Sequence, residues 1–177
     1  MRIVAGKLRH RIIDMTNLET TRETQDKVRG AIYNMIGPYF DGGNCLDLFA
    51  GSGAMGIEAY SRGMNKFTLN DLNKAAIGVC KRNCKSLGIL DYCNLTNMDY
   101  KDFCKNTKEK FSLIILDPPY KMDDISSILE EVYPLLDSYG IIVYEMGIDS
   151  KYPLEFHDME LWKNKEYGIK RVCVYRR

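Results

Sequence analysis

Asp117-Pro118-Pro119-Tyr120 places four residues in a row that suit a planar amine. The apolar run Leu113-Ile114-Ile115-Leu116 precedes it, so the tetrapeptide is expected just past the carboxyl end of a buried strand, where open α/β sheets bind ligands. Each proline fixes φ near −65° and removes a backbone N–H, leaving a stiff rim rich in acceptors. The Asp117 carboxylate and the freed carbonyls can accept from an exocyclic NH2, and the Tyr120 ring can stack on a base. The matching chemistry is methylation of a nucleobase amine. In isolation the same four residues also read as a Pro-rich turn ending in a surface tyrosine.

Upstream, Asn44-Cys45-Leu46-Asp47-Leu48-Phe49-Ala50-Gly51-Ser52-Gly53-Ala54-Met55-Gly56-Ile57-Glu58 runs from a strand through a glycine turn into a helix. Gly51 and Gly53 permit positive φ and close backbone approach, and the helix start offers unpaired N–H groups. Gly51-x-Gly53-x-x-Gly56, with Asp71 downstream to hold a ribose hydroxyl, also satisfies the dinucleotide fingerprint, so the glycines do not choose the cofactor. Asp47 favours one. A carboxylate inside the first strand can accept from an ammonium or its bound water, and it would repel a pyrophosphate. S-adenosylmethionine carries an ammonium beside a sulfonium and fits better than NAD.

Thr21 to Val28 (TRETQDKV), Ile36 to Gly43 (IGPYFDGG), Leu46 to Ala59 (LDLFAGSGAMGIEA) and Asp117-Pro118-Pro119-Tyr120 together resemble a known group. They are similar to the bacterial 16S ribosomal RNA (guanine(966)-N(2))-methyltransferase family, class I S-adenosylmethionine-dependent enzymes. Arg2-Ile3-Val4-Ala5-Gly6-Lys7 and Tyr167-Gly168 extend the likeness over nearly the whole chain. Arg22, Thr24 and Asp26 match the family's usual Arg-Pro-Thr-Thr-Asp-Arg, while Glu23 and Gln25 depart from it. Asp-Pro-Pro-Tyr alone is shared with DNA adenine methylases, so adenine-N6 methylation of DNA or RNA is the nearest alternative. An NAD-dependent oxidoreductase and a non-catalytic RNA-binding module are more distant ones.

The resemblance implies a Rossmann-like α/β fold: a mostly parallel seven-stranded sheet with an antiparallel last hairpin, plus a short N-terminal β arm. It implies S-adenosyl-L-methionine held by Asp47, Phe49, Gly51, Ser52, Gly53, Asp71, Leu72 and Asp99. Asp71 would accept the ribose hydroxyls, and Asp99 the adenine amine, with Asn97 as its substitute and a helix cap as the other reading of Asp99. Asp117, Pro118, Pro119 and Tyr120 would form the catalytic rim, and Lys7, Arg9, Arg11 and Arg22 would contact RNA. The implied substrate is the N2 amine of a guanine in 16S rRNA, within the small ribosomal subunit or its late precursor. A monomer is expected, with no metal.

The elements that must position these residues follow from periodicity. Apolar runs predict strands at 44–49, 66–70, 92–96, 112–116 and 140–145, with helices between them and a final strand after a turn near Gly168. Val28, Ala31, Ile32, Met35 and Ile36 form a helical stripe that Thr24 can cap and Gly37-Pro38 ends. Ile125, Ile128, Leu129, Val132, Leu135 and Leu136 form another. Strands linked by helices require a parallel sheet covered on both faces.

A chain of 177 residues with 45% hydrophobic content can bury one substantial core, so one domain is expected: residues 1–20 as a basic arm and 21–177 as the body. No run suits a membrane span or a secretory signal, and a cytoplasmic location is expected. Cys45, Cys80, Cys84, Cys93, Cys104 and Cys173 show no CxxC spacing and read as reduced thiols, Cys80 and Cys84 on the apolar face of a helix. His10 and His157 have no partners for a triad. Residues 1–11 carry four basic groups and no acid, and residues 163–177 carry six against Glu166 alone; an overall net charge of +1 leaves the middle acidic. Such ends fit a phosphate-binding face, or a merely solvated one.

Overall fold

The structure is a computed structural model that describes residues 1–17, 26–119, 122 and 124–177. The apolar runs form strands Asn44–Asp47 (β1), Lys66–Asn70 (β2), Cys93–Thr96 (β3), Phe111–Leu116 (β4) and Leu136–Gly147 (β5). Between them lie helices Ala54–Ser61 (α2), Lys74–Ser86 (α3), Tyr100–Asn106 (α4) and Ile125–Val132 (α5), and Asp26–Ile36 (α1) precedes the sheet. The tail adds Glu155–Phe156 (β6), Met159–Tyr167 (β7) and Lys170–Arg176 (β8). All eight strands form one sheet in the order β3-β2-β1-β4-β5-β8-β7-β6. β1 to β5 are mutually parallel, and β8, β7 and β6 are antiparallel to their neighbours. The seven expected strands are thus joined by an eighth, β6, whose two residues leave no run for periodicity to detect.

The strand order reverses between β1 and β4. Cys45, Leu46 and Asp47 pair in register with Leu113, Ile114 and Ile115, so the chain leaves both strands at the same level and side by side. The glycine turn and the Asp-Pro-Pro segment therefore meet at the topological switch point, where an open α/β sheet has its crevice. Alternation of side chains sends Cys45, Leu113 and Ile115 to a core shared with α1, α2 and α3, and Leu46, Ile114 and Leu116 to a core shared with α4 and α5. Cys80 and Cys84 are buried in the first core, as their helical spacing suggested.

Two helices differ from their expected stripes. In α1 the buried positions are Arg29, Gly30, Ile32, Tyr33 and Ile36, while Val28, Ala31 and Met35 are only partly buried. The face is rotated because Arg29 pairs with the buried Glu58 and the Tyr33 hydroxyl donates to the Met55 carbonyl at 2.6 Å. The proposed cap Thr24 lies outside the described residues. α5, capped by Asp124 through the Ser127 N–H at 2.8 Å, stops at Val132. Pro134 cannot donate to a continuing helix, so Leu135 falls in a 3₁₀ turn and Leu136 opens β5.

The N-terminal arm forms a hairpin-like loop closed by the Arg2↔Ile12 bridge and anchored by buried Ile3 and Ile13. Its clasp is Glu58, fully buried in α2. The Glu58 carboxylate accepts from the Val4 N–H at 2.9 Å, the Ala5 N–H at 3.0 Å, Arg29 Nε at 3.2 Å and Arg62 Nε at 2.8 Å. Further along, the Asp14 N–H donates to Asn83 Oδ1 at 2.8 Å. Among the described residues, no helix is long and apolar enough to cross a membrane.

Candidate active site

Two cavities open at the switch point. One, of about 430 Å³, is lined by Leu48, Phe49, Asn70, Asp71, Leu72, Asn73, Met98, Asp99 and Tyr100. The other, of about 280 Å³, is lined by Pro118, Asp124, Ile125, Tyr144, Glu145, Met146, Gly147, Ser150, Lys151 and Lys170. Asp117, Pro119 and Met122 belong to both walls. The rim predicted to hold a reacting amine is thus the partition between two compartments. Asp117 reaches across it: Lys170 Nζ lies 3.2 and 3.3 Å from its two carboxylate oxygens.

The first cavity is built by strand ends and caps. Asp71 follows β2; its Oδ2 accepts from the Gly51 N–H at 3.0 Å and its Oδ1 from the Asn73 N–H at 2.8 Å, so one carboxylate locks the glycine turn to the start of α3. Asn70, buried at the end of β2, donates to the Leu48 and Met98 carbonyls at 3.1 and 3.0 Å and ties the ends of β1, β2 and β3 together. Phe49 and Tyr100 face each other at 5.6 Å and supply aromatic surface. Asp99 caps α4, accepting from the Lys101 N–H at 2.9 Å, and also lines the cavity, so the cap reading holds and leaves the residue placed beside a ligand space. Asn97 instead braces the loop, donating to the Asp71 and Leu72 carbonyls.

Asp47 and the glycine turn lie one layer beneath. Gly53 has φ 85°, and a Cβ on Gly56 would come within 2.4 Å of Leu69 Cδ2, so this turn needs one glycine for its conformation and one for close packing. The close approach lets Asp47 Oδ2 accept from the Gly56 N–H at 3.0 Å. Asp47 is 2% exposed, and burial, reinforced by the carboxylates of Asp117 and Asp71 and opposed by the Gly56 N–H, pushes its carboxyl up to about 7. Ser52 is buried, and its carbonyl accepts from Asn83 Nδ2 at 3.0 Å.

Of the residues expected to hold the cofactor, Phe49, Asp71, Leu72 and Asp99 line the first cavity; Asp47, Gly51, Ser52 and Gly53 do not, and the glycine turn reaches the lining through the Gly51 N–H on Asp71. Tyr120 and Arg22 lie outside the described residues. Lys7, Arg9 and Arg11 are exposed on the arm and do not line either cavity. Lys7 Nζ sits 3.8 Å above the Tyr60 ring, and its backbone N–H donates to the Ser61 carbonyl, at the end of α2 away from the glycine turn. Lys170 and Glu145 were not expected in the site. Glu145 carried a signal of the same kind as Asp47, an acid inside the apolar run Ile141-Ile142-Val143-Tyr144; Lys170 carried none beyond its charge.

Comparison with known proteins gives a consistent picture. The family described as "Conserved hypothetical protein 95" matches residues 1–176. "Putative rRNA methyltransferase YlbH" of Bacillus subtilis (strain 168) is 36% identical over 182 residues, spanning 100% of this chain and 99% of that protein. "Ribosomal RNA small subunit methyltransferase D" of Escherichia coli (strain K12) is 29% identical over 185 residues, spanning 100% of this chain and 90% of that one. The solved structure titled "Putative methyltransferase yhhF from Escherichia coli" superposes with a TM-score of 0.85 at 25% identity, covering 100% of this chain and 97% of its own.

Proposed function

Because the chain belongs to the conserved hypothetical protein 95 family, whose relatives are named rRNA methyltransferases, we propose that it transfers a methyl group to the exocyclic N2 amine of a guanine in 16S rRNA. S-adenosylmethionine-dependent methylation of rRNA is the activity of the family. The guanine N2 atom, the nucleotide at 966 and the assembled subunit as substrate are the finer reading. One observation supports amine methylation, the step common to both readings: Asp117 and Pro119 stand on the wall common to both cavities, so an acceptor-rich rim can face a donor on one side and a base on the other.

The first cavity fits the methyl donor on its own chemistry. Its size suits a small-molecule cofactor. Phe49, Leu72, Met98 and Tyr100 offer apolar surface for an adenine ring, and Asp71 and Asp99 offer acceptors for ribose hydroxyls and an exocyclic amine. The acids on its lining, Asp71, Asp99 and Asp117, favour a cationic occupant. When bound, S-adenosylmethionine supplies the electrophilic methyl group. Asp117 and the Pro118 carbonyl then hold the amine in line, which can supply several kcal/mol of the barrier. They also accept its N–H groups more strongly as positive charge builds on nitrogen. Tyr120 is assigned to stacking on the base, and Arg22 with Lys7, Arg9 and Arg11 to the RNA backbone.

The test is transfer of tritium from labelled S-adenosylmethionine to small ribosomal subunits, followed by mass spectrometry of the nucleosides. N2-methylguanine is the expected product. N6-methyladenine, or a preference for free DNA over subunits, would overturn the substrate assignment while leaving amine methylation intact.

A further inference from the structure

Asp117 is asked to act as an acceptor in a place that opposes its charge. Of the described residues, Asp47 on β1 feels its carboxylate directly, and Asp124 at the cap of α5 lines the same cavity as Asp117. Glu145 on β5, its side chain fully buried, lines that cavity with Tyr144 and Lys151, and Asp71, Asp99 and Tyr100 line the other cavity with Asp117. A carboxylate crowded by others protonates, and a protonated Asp117 would present an O–H donor to an amine that itself donates.

Lys170 answers this crowding. The β5–β8 register sets Lys170 opposite Gly147 at the end of β5, and the Tyr167↔Lys170 pair closes the turn before it. Its ammonium lies 3.2 Å from Asp117 Oδ1 and 3.7 Å from Glu145 Oε1, with side chains 20%, 11% and 0% exposed for Lys170, Asp117 and Glu145 respectively. The ammonium thus sits against both carboxyl groups, with Glu145 holding the lysine from its buried side.

We propose that Lys170 is a positioning residue for methyl transfer: bridged between Glu145 and Asp117, it keeps the Asp117 carboxylate ionised and aimed along the partition between the two cavities. The inference rests on the amine-methylation reading above. Lys170→Met, Lys170→Arg and the double variant Lys170→Met/Glu145→Gln, which removes the carboxylate that the first change strands, form the test set. Three measurements are made on each: log kcat against pH on small ribosomal subunits, S-adenosylmethionine affinity by calorimetry, and a carbon-13 NMR titration of the Asp117 carboxyl, identified with Asp117→Asn.

In Lys170→Met the acid limb of kcat and the NMR midpoint should both move to higher pH by about 1–3 units, with donor affinity unchanged. Lys170→Arg should keep the wild-type limb, and the double variant should recover part of the shift. A Lys170→Met profile that is merely scaled down, a midpoint that does not move, or an equal loss of donor binding would overturn the proposal. The NMR titration needs no turnover. A wild type inactive on subunits, free RNA and DNA alike would therefore sink the amine-methylation reading, while an active wild type with an unmoved midpoint would sink the role of Lys170 alone.

Discussion

At the scale of single residues, the carboxylates of the crevice separate into those that line a cavity and one, Asp47, that does not. Asp47 titrates near 3.8 when exposed and is raised to about 7 in the fold, chiefly by burial. Between those values the folded chain keeps a proton that the unfolded chain has lost, so Asp47 makes stability fall as pH rises through that window. Asp47→Asn keeps an acceptor for the Gly56 N–H and removes the charge. It should therefore be more stable than wild type by roughly 2–4 kcal/mol near pH 8, with the difference vanishing near pH 4. Urea unfolding at both pH values measures this, and an equal gap at the two would refute it. Asp71→Ala should weaken S-adenosylmethionine binding by roughly 10–100-fold in calorimetry, since a charged acceptor is lost; undiminished affinity would remove Asp71 from the pocket. Asp117→Ala should lower transfer by at least about 10²-fold while the donor still binds. The acids were readable because each ends or follows a strand; Lys170 was not, because its partner is 53 residues away and only the strand register brings the two together.

At the scale of elements, readable segments are those whose pattern is local. The run into Gly51 and Gly53 fixes β1, the turn and α2 together, since strand, positive φ and helix start are all written within fifteen residues. The face of α1 was misjudged because an apolar stripe leaves Arg29 out, and the carboxylate that buries it lies on α2. β6 and the break at Pro134 were missed for the opposite reason: each is too short to change a period. The same distant pairing makes a prediction for the arm. Glu58→Ala takes the shared carboxylate from two buried guanidinium groups, leaving Arg29 its Asp26 pair and Arg62 the Pro38 carbonyl, frees two backbone N–H groups, and should cost about 3–5 kcal/mol. Amide exchange would show it, with Val4 and Ala5 losing protection before α2 and β2 do; protection retained at both amides would contradict the clasp.

At the scale of the whole molecule, a net charge of +1 conceals basic ends around an acidic middle. The arm lies on the outer side of α2 and α3 and the crevice at the carboxyl ends of the strands, so gripping RNA and methylating it are assigned to different surfaces. Replacing Lys7, Arg9 and Arg11 together by alanine should therefore leave donor affinity unchanged. It should also reduce the salt slope of subunit binding by up to about three, if each residue meets one phosphate. An unaltered slope in filter-binding titrations would return these residues to ordinary surface. The clasp also orders events in time. Val4, Ala5 and Asp14 are held by groups 53 to 69 residues further along the chain, so the arm cannot seat until α2 and α3 have docked on the sheet. A half-folded chain then has the basic side chains but no fixed spacing between them. On the proposed function, a grip on RNA would mature only with the half of the sheet assigned to the methyl donor, and an immature copy would be a poor competitor for the subunit.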